Sequence, residues 1–452
     1  MPEIIELGFM DLNPFIESMT VSHGVVFSGA FEVGKIERAW AKLGETWPIL
    51  GAYVRHNEES DKIELVIPDA PDRKLKVTSK VLNQTLEETE SFHVRTATIT
   101  TQICVRTEML YRDGPQKNLQ QHIATGDPVF ALHTGYLADA TFITITFPHL
   151  VDGCGYHALI MSLLSALDDQ PIPPLLTHDP WAVILLEALQ TPTDPEAVRS
   201  MSTWDKSAAA ILQHEMEVGY RANEPIQMRT IYFPAAEIEK MKLDAMEDLK
   251  RANLEVPWLS TTDLIGAWMY KYALEDGPND ESKSRFVYPF NARAQFPEAF
   301  TPGQVYLRNA FFTVTTDQLT DAQLHAMSLG EIARVIRMSV IGSSTRVSFL
   351  SKMRCHYEHA GEFYVPFSPG DRLRVVSSWL SFKLGEMNVA QHIKPGTGTG
   401  ETLDVTGEAI GRHYVTLIKY KDAEGGVVCE MDWGAKRWTS GPIAKFALEN
   451  QC

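Results

Sequence analysis

The change of hydrophobic period near residue 148 constrains this chain most tightly. In "ATFITITF" (140–147), Ile143, Ile145 and Phe147 fall on one side, and Thr144 and Thr146 on the other. Alternation of this kind is the period of a strand, whose successive side chains point to opposite faces. From Tyr156 the spacing changes. Tyr156, Leu159, Ile160, Leu163, Leu164 and Leu167 follow the i, i+3, i+4, i+7 spacing of a buried helix face. Residues 148–153 are therefore expected to form a strand-to-helix loop, with Asp152 where an N-cap residue sits. The stretch "PHLVDGCGYH" crowds His149, Asp152, Cys154 and His157 into that one junction.

Several chemistries fit the junction. The plainest reading has Asp152 and Gly153 starting a helix, with His149 an ordinary loop histidine. A zinc reading uses His149, Asp152, Cys154 and His157, or Cys355, His356 and His359 of "RCHYEH". Neither group has a second ligand pair at the regular spacing of zinc sites, so no metal is expected. A helix N-terminus lowers a thiol's pKa, so Cys154 could be a nucleophile with His149 as its base. Finally, an imidazole that titrates near pH ~6.5 can itself take a proton from an alcohol or amine as a bond forms. In that case Asp152 holds the loop in shape rather than relaying a proton.

Composition narrows the classes. A chain of 452 residues can bury two or three cores, and 44% hydrophobic with 22% charged residues is that of a folded globular protein. A net charge of −17 argues against nucleic-acid partners, and any anionic ligand would need a local Lys/Arg cluster. The five cysteines (Cys104, Cys154, Cys355, Cys429 and Cys452) are scattered and odd in number, as in a reducing compartment. "MPEIIELGFMDLNPF" has neither a basic start nor a long apolar core, and no run of about 18 apolar residues follows. The expectation is a soluble, cytoplasmic, monomeric protein with no membrane association.

Further signals run along the chain. A strand is expected at 25–31, an amphipathic helix at 33–47 through Ile36, Trp40 and Leu43, and two strands around a polar turn at 51–69. "DDQPIPPLLTHDP" (168–180) breaks the pattern, and a less distinct helical region follows to about 222. A second set of elements opens at "MRTIYFP" (228–234). It continues with helices at 235–248 and 260–274 and strands near 285–291, 308–316, 372–382, 413–421 and 426–432, the last entering a terminal helix. The division expected is 1–200 with the loop, a crossover linker at 201–225, and 226–452. "KPGTGTGE" (394–401) reads as a mobile loop and not as a phosphate-binding signature.

At "HLVDG" the chain resembles the BAHD-like acyltransferases, relatives of chloramphenicol acetyltransferase and of peptide-synthetase condensation domains. Their signature is His, three residues, Asp, Gly; here only two residues separate His149 from Asp152. Other matches run in order. Residues 12–54 look like the family's first strand, helix and "PIL-G" turn, and "LSTTDLIGAWMYKYA" (259–273) like its Ser-Thr-x-Asp helix start. "FNARAQFPEAFTPGQVYLRNAFF" (290–312) is similar to its arginine strand and Gly-Asn turn, with Arg308–Asn309 in place of Gly-Asn. "VVSSWLSFKLGEMNVA" (375–390) resembles its Ser-Trp strand, although the Asp-Phe-Gly-Trp-Gly segment that should follow is absent; "MDWGAKRW" (431–438) comes too late to replace it.

The resemblance implies an α/β fold of two similar domains, each a mixed sheet with helices, and a channel between them. It implies transfer of an acyl group, acetyl being one choice, from acyl-CoA to a hydroxyl or amine of a small specialised metabolite. No cofactor would be bound; acyl-CoA is a co-substrate. His149 would be the base and Ser377 a donor near the reaction centre. Asp152, Gly153 and Arg293 would be structural, Arg293 pairing with Asp152 across the domains. Trp379, Ser378 and Lys383 would line the substrate or CoA channel, with Arg372, Arg374 and Lys394 nearby. The rival expectation keeps the fold without CoA chemistry: a scaffold that binds a small metabolite and promotes its cyclisation, or a non-catalytic binder.

Overall fold

A computed structural model describes residues 2–8, 10–12, 20–89, 97–103, 117–176, 178–204, 226–272, 283–359, 363–365, 372–410, 415–434 and 438. Cys104, Cys452, most of the expected linker and of the expected terminal helix lie outside the described residues.

The first half supplies β1 (Thr20–Ser28), α1 (Lys35–Thr46), β2 (Lys76–Val81), β3 (Thr100–Ile103), β4 (Ala131–Tyr136), β5 (Ala140–Pro148), α2 (Gly153–Leu167) and α3 (Pro180–Gln190). The second half supplies β6 (Ile226–Phe233), α4 (Ala235–Arg251), α5 (Thr261–Tyr272), β7 (Lys283–Asn291), β8 (Phe311–Thr315), α6 (Leu329–Ser343), α7 (Arg346–Glu358), β9 (Arg372–Ser378), β10 (Thr402–Ile410), β11 (Val415–Lys421) and β12 (Val427–Gly434). The period switch falls where the sequence put it: β5 ends at Pro148 and α2 starts at Gly153, with Asp152 as N-cap.

Two mixed sheets organise the chain. One has the order β10-β1-β5-β4-β2, and the other has the order β8-β7-β9-β11-β12-β6-β3. Ile143, Ile145 and Phe147 of β5 pack with Trp40 and Leu43 of α1 and Leu159, Ile160 and Leu163 of α2 in the first core. In the second sheet Phe286, Val376, Ile418 and Cys429 face α4, α5 and α6 in a second core. The opposite face of that sheet gives Leu417, Tyr420 and Val428 to the first core. A third cluster joins α3, α7 and Phe312 of β8. Apolar burial is thus continuous across both halves, and it is the main stabilising term in such a fold.

The halves also exchange strands. β10 pairs antiparallel with β1 over Ile410↔Thr20 to Thr402↔Phe27, and β3 pairs with β6 through Thr101↔Ile231. A cut at 201–225 would therefore strip each sheet of an edge strand. Loop 394–401, expected to be mobile, is tied down instead. Lys394 N donates to Ala30 O (2.8 Å), Gly400 N to Ser28 O (2.9 Å) and Ala30 N to Thr397 Oγ1 (3.0 Å). Its glycines permit a close pass along the end of β1 rather than freedom.

Candidate active site

The loop from β5 to α2 is built from both halves. β5 carries the chain to Pro148, and a tight turn follows in which Leu150 N donates to Pro148 O at 2.5 Å. Leu150 and Val151 are buried in the first core and anchor the turn. Asp152 then caps α2 by accepting from Gly155 N at 2.8 Å, the usual way to satisfy a free N–H at a helix start.

Asp152 meets Arg293 as expected, and the geometry is bidentate. Arg293 Nη1 donates to Asp152 Oδ2 at 2.8 Å and Nη2 to Oδ1 at 3.1 Å. Ala310 N gives Oδ2 a further bond at 2.8 Å. Nη1 also reaches Asn291 Oδ1 (3.2 Å), and Nη2 is shared between Arg308 O (2.8 Å) and Tyr306 O (3.1 Å). Burial works against the Arg293 charge, but the Asp152 carboxylate outweighs it and holds the guanidinium pKa above its ordinary value. A planar fork matched to a carboxylate in this way fixes direction as well as distance.

Two glycines explain why the helix start can sit so close to its neighbours. A Cβ on Gly153 would lie 2.9 Å from Trp379 Nε1, and one on Gly155 only 2.1 Å from Leu307 O, a backbone atom of the second half.

His149 follows the last residue of β5 and is half-buried. Its carbonyl accepts from Asn309 Nδ2 at 2.8 Å, and Phe311 presents its ring edge-on at a centroid distance of 6.2 Å. Nδ1 is sealed from solvent and reaches no other residue; its own carbonyl is the neighbour that acts on it. Nε2 is the ring nitrogen left open. Burial lowers the imidazole pKa, opposed by its own carbonyl and by the Asp152 carboxylate. The ring is thus neutral at physiological pH, the form a proton acceptor needs.

Cys154 differs from the nucleophile pictured above. Burial, then the Asp152 charge, pushes its thiol up to about 12, although Arg293 pulls the other way. A thiol held protonated is a poor nucleophile. His157 stacks on Phe382 (4.8 Å between centroids, 6° between planes) and is turned to packing. Among the described residues, no three His, Cys, Asp or Glu side chains converge as metal ligands.

The remaining candidates lie around β9. Ser377 pairs with Leu417 and Ser378 with Ile418. Leu417 belongs to the first core and Ile418 to the second, so Ser377 faces the first half and Ser378 faces the helices. Ser378 Oγ lies 3.0 Å from Thr262 Oγ1 at the start of α5. Trp379 is 5% exposed and packs edge-on to His23 (4.5 Å) and stacked on Tyr156 (5.4 Å), where it seats Gly153. Lys383 is exposed, with its ammonium 3.3 Å from Glu386. Arg372 is paired with Asp321, and Arg374 is buried.

No functional role is expected from sequence for the run that follows Arg308. Arg308 itself, standing where a glycine was expected, donates to Asp11 at 2.6 Å in a buried ion pair and ties the N-terminal segment to this corner. Asn309, Ala310 and Phe311 then hold His149 and Asp152. The signal for this run was its likeness to a Gly-Asn turn.

The structure superposes on that of F. graminearum TRI101 complexed with ethyl coenzyme A, with a TM-score of 0.70 and 14% identity, over 97% of both chains. It also superposes on vinorine synthase, with a TM-score of 0.60 and 12% identity, over 98% of this chain and 96% of the other. The fold is that of the BAHD-like acyltransferases. Among curated proteins, the chain is 24% identical to O-acetyltransferase PaAT-2 of Phomopsis amygdali over 251 residues, 52% of this chain and 50% of the relative. It is 23% identical to acetyltransferase pyiB of Pyricularia grisea over 67% of this chain and 60% of the relative. It is 24% identical to acetyltransferase adrJ of Penicillium roqueforti over 88% and 83%. The match thus spans half to three fifths of the length of the first two relatives. No family model matches the chain.

Proposed function

We propose that the chain is an acyl-CoA-dependent acyltransferase with His149 as general base. It moves an acyl group, most simply acetyl, to a hydroxyl or amine of a small specialised metabolite. The observation that carries this is the setting of His149: a half-buried imidazole with Nδ1 sealed, on a loop locked from both halves of the fold. The comparisons support the donor and acceptor classes. TRI101 was solved with coenzyme A and deoxynivalenol, and the curated relatives are named as acetyltransferases.

In this reading Nε2 takes the acceptor's proton as its oxygen or nitrogen attacks the thioester carbonyl. A tetrahedral oxyanion forms, and Ser377 on the face toward the first half is its candidate donor. The C–S bond then breaks, and the imidazolium returns the proton to the CoA thiolate. Both substrates held on one imidazole need no acyl-enzyme, so Cys154 has no chemical part. Asp152 and Arg293 stay paired and hold the loop. Trp379 closes the site from the core side. Among the described residues no helix is long and apolar enough to cross a membrane.

The test is thioester dependence. Protein incubated with a panel of acyl-CoAs and a metabolite extract should release free CoA and produce metabolites heavier by one acyl group. Metabolites rearranged without a mass change and without CoA release would favour the cyclisation scaffold instead.

A further inference from the structure

We propose that Asn309 is a positioning residue that selects the ring nitrogen of His149 that carries the proton; this rests on the general-base reading above. Asn309 is fully buried, between β7 and β8 in the second half, 160 residues from the loop it serves. Its Nδ2 donates to His149 O at 2.8 Å and its backbone N to Leu150 O at 3.1 Å. Ala310 N next takes Asp152 Oδ2, and Phe311 meets the imidazole edge. Three consecutive residues thus grip the loop from His149 to Asp152.

The His149 carbonyl links this grip to the chemistry. Nδ1 is sealed, so a proton there can be satisfied only by that carbonyl, whereas a lone pair there would be buried with no donor. Leaving a buried acceptor unmatched is costly, so the proton belongs on Nδ1 and the lone pair on Nε2. A contact between ring and carbonyl of one residue is bent and weak alone. It persists only if the carbonyl cannot turn away, and Asn309 Nδ2 prevents that turn. Asn309 therefore acts on the reaction through His149 without touching a substrate.

The experiment is nitrogen-edited NMR of the histidine rings in full-length, ligand-free protein. It is combined with thiol release from acetyl-CoA with water as the acceptor. The wild-type His149 ring should be protonated on Nδ1. Asn309→Ala should populate both tautomers and slow thiol release roughly tenfold or more, with little change in KM for acetyl-CoA. Asn309→Asp keeps the side chain's shape while removing the donor, so it reads the same effect if the alanine variant does not fold. A wild-type ring protonated on Nε2 overturns the proposal. So do variants with a lower melting temperature whose tautomer and kcat are unchanged. If His149→Ala releases thiol as fast as wild type while the tautomer still depends on Asn309, the general-base reading fails and the positioning role stands.

Discussion

His149, Asp152 and Arg293 divide the work at the site. Asp152 is saturated by four hydrogen bonds, from Gly155, Arg293 twice and Ala310, and has no lone pair to spare for His149. It is therefore a structural anion. Asp152→Ala would leave Arg293 charged and buried without its partner. Loss of one member of a buried pair costs about 3–5 kcal/mol, which urea unfolding of this variant should show. His149→Ala removes no such pair and should keep wild-type unfolding within about 1 kcal/mol. The pH dependence follows from the lowered imidazole pKa. In the proposed mechanism neutral His149 is the working form, so activity should hold below the ordinary histidine value of ~6.5 and fall only as pH drops through the lower folded value. The unfolded chain binds that proton more readily, so stability contributed by this group is full above ~6.5 and lost as pH falls. A rate profile that drops already near pH 7 would show that burial does not govern this ring.

At the scale of elements, the junction of α2 with the second half is the sensitive contact. Gly155→Ala would push a methyl into Leu307 O, a backbone atom that cannot rotate aside. Overpacking of this kind costs about 1–3 kcal/mol. Gly342, near the end of α6, has nothing within 4 Å of its Cβ position. Gly342→Ala should therefore stabilise by about 0.4–1 kcal/mol through the unfolded chain. Thermal melts of the two variants should move in opposite directions. The β5–α2 switch was legible because both periods are strong and adjoin at one loop. The Asp152–Arg293 pair was legible only through the order of distant motifs, since no local spacing announces a partner 141 residues away. β10 and β3 went unread because a strand's sheet is decided by tertiary pairing, not by its own pattern. α6 also went unread, although its signal is local: Ser328 and Glu331 form a capping box ahead of it. Asn309 could not be read, because a side-chain bond to a backbone carbonyl leaves no periodic trace.

For the molecule as a whole, the strand exchange makes the two sheets one folding unit. β10 covers the edge of the first sheet and β3 the edge of the second, so neither half presents a finished sheet alone. Segments 1–200 and 226–452 produced separately should be insoluble or unfolded, whereas mixed during refolding they should recover native circular dichroism. Soluble, separately melting halves would contradict a shared core. In the proposed mechanism one imidazole serves both substrates, and the loop bearing His149 is clamped by residues from the other half. The most direct measurement of this is transfer from isotopically labelled acetyl-CoA by wild type and by His149→Ala. The expected result is a labelled acyl group on an acceptor with wild type, a loss of about a hundred- to ten-thousand-fold with the variant, and equal melting temperatures. Equal transfer by both proteins would contradict the assignment of His149 as the base.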